Sequence, residues 1–224
     1  MDHIIIINLE RNTSRRKSLE DQFQKLNLVD RVDYTFFPAF DSKNIINMSY
    51  SVPIIKGVGI GRKLSIAEIS IITSHIAALK YAQIMGFDNV VILEDDVVIC
   101  EDWEERLKTL IQTLPEDWEY CYLAGHSDYV KIPMHDNPTI ISAPKMVGAF
   151  SYLVNRAGIS KLIKYCGEYV TTYDDMITHK IESKKLSGYL YLPFMTYHVM
   201  SMSENWENHF SGKHSSEIYF KNKI

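Results

Sequence analysis

The chain has 224 residues, 46% of them hydrophobic and 23% charged, with a formal net charge of −4. This composition excludes a disordered or fibrous protein, and the length suits one α/β domain with a sizeable core. The charge weighs against nonspecific nucleic-acid binding, which needs Lys and Arg to neutralise phosphates.

Cys100, Cys121 and Cys166 lie far apart and make neither a metal-ligand spacing nor an even disulfide set, so a reducing, cytoplasmic compartment is the simpler expectation. The start Met1-Asp2-His3-Ile4 lacks the basic and apolar regions of a signal peptide. No apolar run reaches the roughly 18 residues of a membrane span, so a soluble chain is expected.

In chain order, Ile4 to Ile7 is an all-β-branched run that reads as a strand. A helix is predicted next, with Leu19, Phe23 and Leu26 at helical spacing and Thr13 or Ser14 as N-cap. Arg15, Arg16 and Lys17 fall in its first turns, just after Arg11, where the helix macrodipole disfavours cations. Either this is a solvated basic helix end, or a bound anion such as a diphosphate offsets the misfit. Val32 to Phe37 reads as a second strand stopped at Pro38, completing a βαβ unit.

Ligands of open α/β sheets sit beyond the carboxyl ends of the strands. The segments 8–16 and 38–41 are therefore expected to converge, with Asn8, Leu9, Arg11 and Arg15 from the first and Ala39, Phe40 and Asp41 from the second as donor-binding residues. Phe40 either stacks on a base or belongs to the core, and Asp41 accepts from a base or ribose.

Residues 42–63 read as a loop over that crevice. Gly57 to Lys63 is no phosphate cradle, because no strand directly precedes it and the Gly-Lys-Ser/Thr ending is missing. Ser65-Ile66-Ala67-Glu68 is a capping box opening a helix that stops at Gly86. Ser74 and His75 lie beside its apolar stripe, His75 as a structural residue or a ligand.

Val90 to Leu93 then reads as a central strand covered on both faces, and Glu94, Asp95 and Asp96 follow at once. With an extended backbone Glu94 and Asp96 share a face and Asp95 points away, which makes either a divalent-cation site or a solvated strand end. Trp103 to Ile111 is a surface helix ending before Pro115, and Trp118 to Leu123 a strand. Residues 126–145 are a long loop or small hairpin, and Val147 to Val154 is strand-like, Gly148-Ala149 allowing a close approach. A helix starts around Asn155 and ends near Gly167. Asp174 and Asp175 sit where a helix N-cap belongs, and are either caps or a catalytic pair. Tyr189 to Leu192 is the last strand. One domain over 1–200 with a C-terminal tail over 201–224 is the expected organisation.

The order Ile6-Ile7-Asn8-Leu9-Glu10-Arg11, Leu64-Ser65-Ile66-Ala67-Glu68 with Ser74-His75, and Val91-Ile92-Leu93-Glu94-Asp95-Asp96-Val97 resembles glycosyltransferase family 25, from about Ile4 to Leu192. The family contains lipopolysaccharide-biosynthesis and collagen galactosyltransferases. The resemblance implies a Rossmann-like, type A glycosyltransferase fold, in which a mostly parallel sheet is flanked by helices. It also implies a UDP-galactose or UDP-glucose donor and transfer with inversion. Glu94-Asp95-Asp96 takes the place of the Asp-x-Asp motif, Tyr173-Asp174-Asp175-Met176 resembles the later acidic segment, and His198 stands where a late metal ligand is often found. The chain departs from the family's common Gly-Glu-Ile or Gly-Glu-Val and its Cys, having Ala67-Glu68-Ile69 and Ile72 instead.

A hard cation on carboxylate oxygens offsets the charge of a leaving diphosphate, and Mn²⁺ or Mg²⁺ suits such ligands. The expected metal ligands are Asp96 and Glu94, with His198 as the further ligand that the resemblance implies. Glu94, Asp95 and His75 are further donor-site residues, with Asp95 meeting the sugar. Asp174 or Asp175 is the base that takes the proton of an acceptor hydroxyl, on a saccharide or glycoprotein. A lipid-carried acceptor would place the protein at the inner face of a membrane. Two alternatives remain: a catalytically silent member of the fold that binds a glycan or protein, and a nucleotidyltransferase, against which the absence of glycine in Asn8-Leu9-Glu10-Arg11 counts.

Overall fold

Four consecutive β-branched side chains crowd a helix but suit a pleated surface. Ile4 to Ile7 accordingly lie within β1 (His3–Asn8), every residue of which is buried. The computed structural model describes residues 1–44, 64–127, 131–132, 137–167 and 171–198. The 45–63 part of the predicted loop, including Gly57 to Lys63, and the 201–224 tail lie outside the described residues.

Helix α1 (Thr13–Lys25) leads from β1 to β2 (Tyr34–Pro38), which pairs parallel with β1. The expected cap at Thr13 or Ser14 is corrected: the N-cap is Asn12, and its side chain makes no capping bond. Its Oδ1 accepts from Arg11 Nη1 at 3.3 Å instead.

Helix α2 (Ile66–Met85) opens with the predicted capping box, Ser65 and Glu68 each accepting from the other's backbone N–H. It closes at Gly86, whose φ of 76° is left-handed backbone that a glycine adopts without a Cβ penalty. It delivers the chain to β3 (Asn89–Glu94), parallel to β1 on the side away from β2. Val90 to Leu93 are fully buried, as the apolar run requires.

The remaining elements are β4 (Val97–Ile99), α3 (Trp103–Thr113), β5 (Tyr120–Tyr122), β6 (Thr139–Ser142), β7 (Ser151–Asn155), α4 (Arg156–Cys166), α5 (Tyr173–Glu182), β8 (Gly188–Leu192) and β9 (Thr196–His198). Among the described residues, seven strands form one sheet in the order β2-β1-β3-β7-β5-β8-β6. Five of them, β1, β2, β3, β5 and β8, run the same way, and β7 and β6 are reversed. Helix α2 packs on β1 and α4 on β7. This is the mostly parallel, helix-flanked sheet expected of the sequence.

Three segments differ from their prediction. The strand expected at 118–123 is confined to Tyr120–Tyr122. Among the described residues, the segment 126–145 holds an edge strand, β6, which pairs antiparallel with β8. At 147–154 only Ser151 onward is strand, because Gly148 takes a φ of 98° and the N–H groups of Gly148 and Ala149 bond a side chain of α5.

A second, two-stranded sheet pairs β4 antiparallel with β9, Val97 opposite His198. No helix among the described residues is long and apolar enough to cross a membrane.

Candidate active site

The chain leaves β1 toward β2 on one side and later enters β3 on the other, so the strand order reverses at β1. Open α/β sheets bind ligands at such a reversal, beyond the carboxyl ends of the strands. A crevice lies there. Leu9, Arg11 and Arg15 line it from the segment after β1, and Ala39 and Phe40 from that after β2. Glu94, Asp95 and Asp96 enter from the end of β3, and α2 supplies Ser70, Ser74 and His75. Phe40 keeps 46% of its surface exposed, so it is not a core residue. Its backbone N–H is pinned by Ser74 Oγ at 2.9 Å.

Two of the residues expected here do not line the crevice directly. Asp41 accepts from Arg11 Nε at 2.6 Å, and that hydrogen bond is the main cause of its lowered pKa. Asn8 is buried and donates from Nδ2 to Asp95 Oδ2 at 2.7 Å.

The alternation expected of the acidic triplet does not occur, because β3 ends at Glu94 and Asp95-Asp96 form a turn. Asp95 and Asp96 share a cation instead. Arg15 Nη1 lies 2.8 Å from Asp95 Oδ1 and 3.3 Å from Asp96 Oδ2. Glu94 is turned to α2, its Oε1 3.2 Å from His75 Nε2. The solvated-strand-end reading is excluded for Asp95 and Asp96, which are 7% and 5% exposed.

His75 is buried, stacked on Tyr173 with ring centroids 4.1 Å apart, and its Nδ1 meets Tyr152 Oη at 3.1 Å. The Tyr152 and Tyr173 hydroxyls are 2.8 Å apart. Burial pushes the His75 pKa down to about 4, so its ring is neutral near pH 7. Burial also pushes the Glu94 carboxyl up, and the charge of Asp96 adds to this. The two side chains meet in one hydrogen bond, between His75 Nε2 and Glu94 Oε1.

His198 reaches the triplet through the β4–β9 pairing, its Nε2 3.1 Å from Asp96 Oδ2. Burial works against its charged form, but the hydrogen bond it donates to Asp96 and the charge of that carboxylate outweigh this, and its pKa is raised. Of the three expected metal ligands, Asp96 and His198 therefore touch while Glu94 points to His75. Among the described residues no three His, Cys, Asp or Glu side chains are gathered to hold a metal ion as they stand. One observation fits a cation there: Asp96 Oδ1 is buried without a hydrogen-bond partner among the described residues. A carboxylate oxygen is a hard donor of the kind a divalent cation takes.

A second crevice adjoins the first, with Ile71 and Glu94 common to both. Gly148 to Phe150, His126, His198 and the first turn of α5 line it. It lies here because β7 runs antiparallel to β3, which brings its entry segment to the end of β3, Phe150 O accepting from Glu94 N–H at 2.8 Å.

Asp174 and Asp175 both line it, but neither caps α5. The cap is Thr172, whose side chain accepts from Asp175 N–H, and the two acids fall in the first turn. They differ in what holds them. Asp174 accepts on Oδ2 from Gly148 N–H at 3.0 Å and on Oδ1 from Ala149 N–H at 2.9 Å. Asp175 accepts on Oδ2 from the Thr172 hydroxyl at 2.8 Å, and among the described residues no hydrogen bond engages its Oδ1.

The structure thus gathers every predicted donor residue at one end of the sheet, Asn8 and Asp41 as supports. The sequence reading missed Ser70 and Tyr152. Ser70 lies one helical turn before Ser74 and so on the same face, a spacing that could have found it. Tyr152 sits in an apolar strand and carries no such signal.

The chain matches the family model described as glycosyltransferase family 25 (LPS biosynthesis protein) over residues 1–177. It is 23% identical over 232 residues to a glycosyltransferase 25 family member of Aedes aegypti, covering 95% of this chain and 33% of that protein. It is 24% identical over 170 residues to procollagen galactosyltransferase 1-B of Xenopus laevis, covering 72% of this chain and 28% of that one. The chain spans about a third of the length of these curated relatives. A solved glycosyltransferase involved in glycosylation of the major capsid of PBCV-1 matches with a TM-score of 0.43 and 8% identity, over 74% of this chain and 64% of that one. With a family model spanning most of its length and a mostly parallel, helix-flanked sheet beneath it, the chain belongs to glycosyltransferase family 25.

Proposed function

We propose that the protein transfers a hexose, galactose or glucose, from a UDP-sugar to a hydroxyl of a saccharide or glycoprotein acceptor, with inversion at the anomeric carbon. The observation that carries this reading is the pair of crevices meeting at Glu94, one lined by Arg11 and Arg15 and the other by Asp174 and Asp175. A donor in the first crevice presents its diphosphate to Arg15 and the α1 N-terminus, whose N–H groups no side chain caps. The nucleoside lies toward Phe40 and the start of α2, and the sugar toward the acidic triplet and the second crevice.

The acceptor hydroxyl enters from the second crevice. Its oxygen attacks the anomeric carbon as the bond to the diphosphate oxygen breaks, and its proton passes to a carboxylate. We assign that role to Asp175, whose Oδ1 is unengaged, and assign Asp174 to holding the Gly148–Ala149 segment. The guanidinium of Arg15 offsets charge on the departing nucleoside diphosphate. Asp96, His198 and Glu94 are the residues that would hold a divalent cation, Mn²⁺ or Mg²⁺, which supplies further charge neutralisation on the diphosphate.

The test is to titrate a panel of nucleotide sugars with and without Mn²⁺ while following thermal stability and sugar release. A bound donor raises the melting temperature by mass action. A UDP-hexose that stabilises the protein, and is hydrolysed only with the cation and faster with an acceptor, supports the reading. Absence of stabilisation by every nucleotide sugar refutes it.

A further inference from the structure

Three hydroxyl residues of α2 stand on its first turns, and they are not used alike. Thr73 Oγ1 bonds back to Ile69 O at 2.7 Å, and Ser74 Oγ bonds back to Ser70 O at 2.7 Å while accepting from Phe40 N–H. Such back-bonding to the i−4 carbonyl is the usual way a helix satisfies a buried hydroxyl. Ser70 does not do this. It is 4% exposed, its Oγ is buried, and it has no hydrogen-bond partner among the described residues. A buried hydroxyl without a partner costs free energy, and alanine would serve the helix better. The cost therefore calls for a partner that arrives from outside.

Ser70 lines the donor crevice. Its helical neighbours there are Ala67, Ile71 and Ser74, and Ser74 fixes the backbone of Phe40, whose exposed ring lines the same crevice. A flat ring seated against Phe40 would present its polar edge to that wall of α2. A serine hydroxyl both donates and accepts, so it can meet a carbonyl or ring nitrogen as well as an N–H.

We propose that Ser70 hydrogen-bonds the nucleobase of the nucleoside-diphosphate donor and helps set which base is accepted. This rests on the donor reading above. Ser74 is the fixed support and Ser70 the contact.

The test compares the full-length protein with its Ser70→Ala variant. Binding of UDP, CDP, ADP, GDP and inorganic pyrophosphate is measured by calorimetry, and the melting temperature is recorded without ligand. The expected result is a roughly three- to tenfold weaker binding of the preferred nucleoside diphosphate, the scale of one hydrogen bond, with a narrower spread among the four nucleotides. Pyrophosphate binding is unchanged, and the unliganded variant melts at the same temperature or higher, because a purely structural hydroxyl would lower it.

Equal nucleotide binding by both proteins overturns the inference and leaves the donor reading standing. An equal loss for pyrophosphate, or a lowered melting temperature, also overturns it, since the hydroxyl would then shape the site rather than touch a base. If the wild-type protein binds none of the four nucleotides, both readings fall.

Discussion

Asparagine at position 174 and at position 175 should produce opposite phenotypes, although the two residues are neighbours of the same type. Asp174 takes one backbone N–H on each oxygen, from Gly148 and Ala149. In Asp174→Asn one of those N–H groups faces an amide N–H₂ and loses its acceptor. Leaving a part-buried donor unpaired costs about 1–3 kcal/mol, and a domain of this size loses roughly 2–4 °C per kcal/mol. The melting temperature should therefore fall by about 2–12 °C. Asp175→Asn retains an amide oxygen that can accept from the Thr172 hydroxyl and leaves Asp175 N–H on Thr172 Oγ1. Its stability should change by less than about 1 kcal/mol.

Both variants lose one charge from the first turn of α5, so the helix-dipole effect, about 0.3–1 kcal/mol, cancels in the comparison. Turnover should move the other way. Loss of a base lowers it by roughly 10²–10⁴, and that loss belongs to Asp175→Asn, with the donor KM unchanged. Differential scanning fluorimetry and steady-state kinetics on the two variants decide the matter. A destabilised Asp175→Asn with full turnover, beside a stable but inactive Asp174→Asn, refutes the division of roles.

Three further outcomes follow from single contacts. Arg15→Met leaves Asp95 and Asp96 without their shared cation, at a cost of about 3–5 kcal/mol if the pair behaves as fully buried, less for its 12% exposed side chain. Denaturant unfolding measures it, and an unchanged midpoint would show that the ion pair is dispensable. His3 is buried, with Nδ1 donating to Val32 O and Nε2 accepting from the Thr35 hydroxyl, and burial lowers its pKa below 6.5. The unfolded chain then takes up a proton before the folded one, so stability is full above pH 6.5 and declines as the pH falls below it. In His3→Gln the loss between pH 7.5 and 5.5 should shrink, and an identical slope would refute the assignment. A Cβ added at Gly158 would lie 2.1 Å from Glu119 O, so Gly158→Ala should destabilise by about 1–3 kcal/mol through overpacking, against the gain in helix propensity; a higher melting temperature would sink that prediction.

Much of the fold was legible locally, because its signals are short-range. The unbroken runs Ile4–Ile7 and Val90–Leu93 have no polar alternation, which only a strand buried on both faces tolerates, and both became inner strands of the sheet. The capping box at Ser65 and the stop at Gly86 bounded α2 correctly, since capping depends on residues three or four apart. The grouping of Arg11, Arg15, Phe40 and the acidic triplet at one end of the sheet likewise followed from βαβ connectivity.

What the sequence could not contain is the set of partners each side chain finds. The turn at Asp95-Asp96 cancelled the strand alternation and gave both acids to Arg15 of α1, 80 and 81 residues earlier. Glu94 went to His75, and His198 reached Asp96 only because β9 pairs with β4. Asp174 and Asp175 are interchangeable in sequence, and β7 separates them by offering two backbone N–H groups to one alone. Local chemistry thus determined the elements and which residues meet at the crevice; tertiary packing decided what each of them touches, because a hydrogen-bond partner is fixed by direction and distance across elements that sequence spacing does not encode.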